Sequence, residues 1–147
     1  MNYLNTDIPI INYQRALRKK IFVDKSGMIV PLNELIGTAD GYVCITRPRR
    51  FGKTINANML GAYYTKGFDT KSMFQNLKVA QNKEFERHLN QYNVIFMDLS
   101  RMPDECLNYK EYYQSILQKL KEDLVKAYPH LQKIQYDSVS RMLLASF

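Results

Sequence analysis

Apolar residues recur at spacings of three and four along several stretches of this chain and stand in short unbroken runs along others. Tyr109 to Tyr128 is the longest periodic segment: Tyr113, Ile116, Leu117, Leu120, Leu124 and Ala127 form a stripe, and Pro129 closes it. Thr54 to about Lys66 carries Ile55, Met59, Ala62 and Tyr63 on one side, with Gly67 as its stop. Shorter helices are predicted over 12–20, from about Met28 to Ile36 behind a Ser26 cap, within 68–91, and from about Ser138 to Phe147. Three runs predict strands instead: Ile21–Val23, Tyr42–Thr46 and Val94–Met97. The Tyr42 run has no polar alternation until its end, as expected of a strand covered on both faces. The order strand, loop, helix, strand, helix predicts an α/β fold: a parallel sheet with flanking helices. So few strands make that sheet incomplete.

Composition narrows the class. With 147 residues, 46% of them hydrophobic and 24% charged, the chain is one domain or the front part of a longer one, with enough apolar content for a core. No run approaches the roughly 18 apolar residues of a membrane span, and Met1 to Ile11 lacks a leader pattern, so a cytoplasmic protein without a membrane partner is expected. Cys44 and Cys106 lie too far apart to suggest a disulfide framework or zinc site, and Cys44, within an apolar run, reads as a small buried hydrophobe. The net charge of +7 is uneven: +5 falls on residues 1–53 and +2 on the rest. It gathers in Arg15-Arg18-Lys19-Lys20 and in Arg47-Arg49-Arg50-Lys53, which suggests polyanionic partners.

The strongest chemical signal is Gly52-Lys53-Thr54 between the Tyr42 run and a helix. A phosphate loop needs backbone N–H groups around the β-phosphate, a Lys on the β and γ oxygens, and a hydroxyl for Mg²⁺ where the helix begins. These three residues supply those types in that order. The usual first glycine falls at Arg47, so this is a variant Walker A loop with a different backbone route. Arg49 and Arg50 can clamp phosphates or pair with carboxylates elsewhere, and Phe51 reads as a packing anchor of the loop more than a base stacker.

The segment Thr46-Arg47-Pro48-Arg49-Arg50-Phe51-Gly52-Lys53-Thr54, with Phe22-Val23-Asp24-Lys25-Ser26 upstream, resembles the AAA-ATPase-like family of bacterial proteins. In that family a P-loop domain is commonly followed by a PD-(D/E)XK nuclease-like region, and Arg in place of the first Gly agrees with its pattern. The likeness extends through Tyr92 to Ser100 and implies that residues 1–147 are the N-terminal portion of such a domain. The Walker B strand and the nuclease-like region would then lie outside this chain. The resemblance implies ATP and Mg²⁺ as cofactors. Arg47, Arg49, Arg50, Phe51, Gly52, Lys53 and Thr54 would hold the nucleotide, Thr54 would also ligate the metal, and hydrolysis would be weak or absent in this chain alone. A second chain or a second copy would complete the sheet.

Other candidates are plainer. Asp98 closes an apolar run as a Walker B aspartate would, but Leu99 follows it, so a strand-end role is expected. Asp104-Glu105 follows Met102-Pro103 in a loop. Asp24 and Lys25 are read as a cap with a surface ion pair, or as support or base contact for the loop. His88 and His130 read as ordinary surface or structural histidines. The alternative function is a non-catalytic nucleic-acid-binding or protein-interaction module whose basic loop contacts a phosphate backbone.

Overall fold

The computed structural model describes residues 2–100, 102–104, 106–133 and 138–146. Glu105 and Phe147, which entered the sequence reading, lie outside the described residues. The chain divides into two compact units, Asp7–Val94 and Met1–Thr6 with Ile95–Phe147.

The first unit is built on α1 (Ile8–Leu17), α2 (Ile29–Leu35), α3 (Lys53–Tyr64), α4 (Lys71–Phe74) and α5 (Phe85–His88), with 3₁₀ turns at Ser26–Met28 and Lys78–Gln81. Helix α1 begins four residues before the predicted segment because Pro9 fits the first turn, where a missing N–H costs nothing. Its buried Tyr13 and Ala16 meet Met59, Ala62 and Tyr63 of α3, and Ile29, Phe74, Val79, Phe85 and Leu89 complete one core.

Helix α3 stops at Thr65, short of Gly67, because the Thr65 hydroxyl donates back to the Gly61 carbonyl at 2.6 Å. Asn90, at φ +56, ties down the same end: its N–H donates to Tyr63 O, and its side-chain amide donates to Thr65 O. Pro31 sits in the first turn of α2 as expected, but Ser26 does not cap that helix. Its Oγ accepts the Val79 N–H instead.

The second unit holds α6 (Tyr109–Ala127), a 3₁₀ turn at Pro129–Lys133 and α7 (Val139–Ala145). Asn108 caps α6 by accepting the Glu111 N–H, while Glu111 accepts in return from Leu107 N–H and the Asn108 amide. Ser138 caps α7 by accepting the Arg141 N–H. The core here is Leu4, Leu120, Leu124, Leu131 and Met142. The predicted α6 stripe holds at Leu120 and Leu124 but differs at its start: Tyr112 is buried, whereas Tyr113 is half exposed.

The expected parallel sheet is not present. Among the described residues, β pairing is limited to two isolated bridges, Leu4 with Ile95 antiparallel and Thr65 with Tyr92 parallel. Residues 42–46 are all exposed, Tyr42 almost entirely, and Cys44 is exposed with them. A parallel strand needs a neighbour on its edge and helices over both faces. Here α1 and α3 pack on each other, so the apolar runs at Ile21–Val23 and Tyr42–Thr46 have nothing to ladder with. The fold is helical, and the α/β P-loop assignment is corrected accordingly. Among the described residues no helix is long and apolar enough to cross a membrane.

Candidate nucleotide-phosphate site

The residues singled out by sequence do come together, at the start of α3. Gly52 is the residue before that helix, at φ +78, where a side chain is strained and glycine is not. No side chain caps the helix there, so its first N–H groups and the positive end of its dipole face outward behind Gly52. Lys53 and Thr54 occupy the first turn, both exposed, and the Asn56 N–H closes that turn on the Gly52 carbonyl at 2.9 Å.

The preceding loop is shaped by lysines. The Lys53 ammonium folds back to donate to the Arg47 carbonyl, with the Pro48 carbonyl at 3.3 Å. A lysine-to-carbonyl bond thus ties the turn at Arg47. Arg50 adopts a left-handed backbone at φ +68, a conformation costly for a non-glycine residue. Arg47, Arg49 and Arg50 are all exposed, and none pairs with a carboxylate among the described residues. Phe51 is 55% exposed.

Lys25 is the residue that sequence reasoning left undecided. Its ammonium donates to the Phe51 carbonyl at 2.8 Å, which makes it a support of the loop and not half of a surface ion pair. Its neighbours are pinned. Asp24 accepts the Ser26 N–H and the Lys78 N–H at 2.8 Å each, and Ser26 accepts from Val79. Burial pushes the Asp24 pKa up, but the Lys78 and Ser26 hydrogen bonds outweigh it and hold the carboxyl below the usual range. The sequence signal was the polar trio Asp24-Lys25-Ser26 directly after an apolar run; its acceptor, a backbone carbonyl, leaves no trace in sequence.

Beside the loop lies a cavity of about 470 Å³, within the usual size of small-molecule sites. Phe22, Val23, Phe51 and Ile55 give it apolar walls, and Lys19, Lys25 and Arg50 supply its charge. Among the described residues no carboxylate lines it. Asp98 belongs to the other unit, where its carboxylate accepts the Ser100 N–H. His88 stacks on Tyr92, and its Nδ1 shares a hydrogen bond with the Tyr92 hydroxyl. Among the described residues no group of three or more His, Cys, Asp or Glu could hold a metal.

The start of α3 thus gathers a left-handed glycine, an uncapped helix N-terminus and Lys and Thr in its first turn. A family model described as Predicted AAA-ATPase matches residues 7–146, nearly the whole chain, and the chain belongs to that AAA-ATPase-like family. No curated protein and no solved structure matches it.

Proposed function

We propose that this chain binds ATP with Mg²⁺ through Arg47–Thr54. The observation that carries the reading is Gly52 in its left-handed conformation at the uncapped start of α3, with Lys53 and Thr54 in the next two positions. Gly52 would let the backbone approach, Lys53 would neutralise the β and γ phosphates, and an arginine from 47, 49 or 50 would add charge. Phe51, exposed on the cavity wall, would lie along the nucleoside.

The Thr54 hydroxyl is exposed at the helix start, the chemistry a magnesium–nucleotide complex needs from the protein. With no carboxylate cluster for the ion among the described residues, the metal would arrive with the phosphates and be held between them and Thr54. Phosphoryl transfer to water asks also for a positioned base and a metal-holding carboxylate. Neither lines the cavity, so binding with weak or absent hydrolysis is the function this chain supports alone. On this reading the chain is the nucleotide-binding portion of an AAA-ATPase-like protein.

The test is thermal melting with and without ATP and Mg²⁺. At a hundredfold excess over Kd, mass action stabilises the bound protein by about 2.7 kcal/mol, a shift of several degrees. Lys53→Ala is expected to abolish it. No magnesium-dependent shift, or one that survives Lys53→Ala, overturns the proposal. Robust ATP turnover lost in Lys53→Ala would overturn the statement on hydrolysis.

A further inference from the structure

We propose that Lys25 is a second phosphate-contacting lysine of this site, one that holds the loop and the ligand at once. The inference rests on the nucleotide reading above and deepens it. The Lys25 ammonium has three N–H donors. One is spent on the Phe51 carbonyl; among the described residues no carboxylate and no further acceptor pairs with it. It stands where a phosphate would arrive: a Cβ built on Gly52 would lie 3.6 Å from this nitrogen, and among the described residues no other atom beyond Gly52 and its chain neighbours would lie within 4 Å. It also lines the cavity together with Arg50.

The lysine is presented by a fixed base. Asp24 and Ser26, on either side of it, are hydrogen-bonded to the turn at Lys78–Gln81, whose Val79 belongs to the core. Lys25 is thus the member of the trio that reaches the loop, and it does so from a separate segment of the chain. A carbonyl partner neutralises none of its charge, and Arg50 adds another cation to the same cavity without a carboxylate to offset either. Anionic oxygens entering between them would relieve that repulsion and take the two unused donors in charge-assisted hydrogen bonds. The ligand class is therefore a nucleoside di- or triphosphate, whose outer phosphates Lys25 and Lys53 would grip from opposite segments.

Two variants separate this from a merely structural tether. Lys25→Gln keeps a donor for the Phe51 carbonyl but removes the charge; Lys25→Arg keeps both. Affinities for ATP, ADP and AMP with Mg²⁺ are measured by calorimetry on the full chain, with circular dichroism as the folding check. Lys25→Gln is expected to weaken ATP at least about tenfold, ADP less, and AMP under twofold, while Lys25→Arg stays within about threefold of wild type for ATP. Lys25→Gln binding ATP as wild type does, or losing AMP as much as ATP, overturns the inference. Lys53→Ala is run in parallel. If it loses ATP while Lys25→Gln does not, the Lys25 role fails and the nucleotide site stands; if wild type binds no ATP, both fail.

Discussion

Asp123 in one unit and Asp24 in the other do the same local work. Asp123 accepts the backbone N–H groups of Asn2, Tyr3 and Leu4 at 2.6–3.0 Å, and it is 2% exposed. Asp24, half-buried, accepts from Ser26 and from the distant Lys78. In both, burial pushes the carboxyl pKa up and the backbone N–H groups outweigh it, so both are held below the usual range. The difference lies in what stands next to each. Asp123 ties residues 2–4 to a helix whose neighbouring side chains are core or solvent-facing, so its work ends in stability. Asp24 fixes the backbone from which Lys25 reaches the loop before α3, so the same chemistry positions the proposed site.

Removing the first anchor gives the largest expected effect. Asp123→Ala strips the N–H groups of Tyr3 and Leu4 of their acceptor, and at about 1–3 kcal/mol for each buried group left unpaired the unit loses about 3 kcal/mol. Urea denaturation near about pH 7 reads this, and a loss under about 1 kcal/mol would show the anchor to be dispensable. The pH dependence has a definite sign. Because the folded pKa is depressed, the carboxylate contribution is fully present above the unfolded value of about 3.9 and fades as pH falls through the folded value. The gap between wild type and Asp123→Ala therefore narrows below about pH 4; a gap that stays constant there contradicts the charge-assisted account.

Asp24→Asn is the sharper test of the contrast. An amide keeps one acceptor and turns an N–H₂ toward the other backbone donor, so about 1 kcal/mol of stability is expected to go. The distinguishing readout is ATP affinity, which should fall about threefold to tenfold as Lys25 loses its fixed base. Stability lost with affinity unchanged would reduce Asp24 to a second Asp123.

How far the sequence carried depends on whether a feature is local. Helices α3, α6 and α7 were legible because spacing and caps lie within one segment, as did the glycine, lysine and threonine at the start of α3. Tyr42–Thr46 has every compositional mark of a buried strand, yet a strand is a property of a pair, and no partner runs beside it here. Capping by Asn90, the Lys53 bond to Arg47 and the Lys25 bond to Phe51 were illegible for a related reason. Their acceptors are backbone carbonyls, which every residue has. The α6 stripe was legible at Leu120 and Leu124 but not at its start, since Tyr112 and Tyr113 are chemically identical and only packing chooses which is buried.

The smallest effect comes from a polar group that, unlike either aspartate, has no partner. Tyr13 is fully buried, its ring stacked on Phe74 at 5.4 Å and edge-on to Phe22 at 6.3 Å, while its hydroxyl makes no hydrogen bond among the described residues. Burial, with the Asp24 charge nearby, pushes its pKa far up, so it stays neutral throughout the accessible range. Tyr13→Phe keeps both ring contacts and removes an unsatisfied oxygen, so stability should hold or rise by up to about 1 kcal/mol. Tyr63, equally buried, donates to the Phe85 carbonyl at 2.6 Å, and its Phe variant should instead lose about 1 kcal/mol. Chemical denaturation of the two variants side by side checks the pair. A loss in Tyr13→Phe matching that in Tyr63→Phe would mean that the Tyr13 hydroxyl, like both aspartates, has a partner of its own.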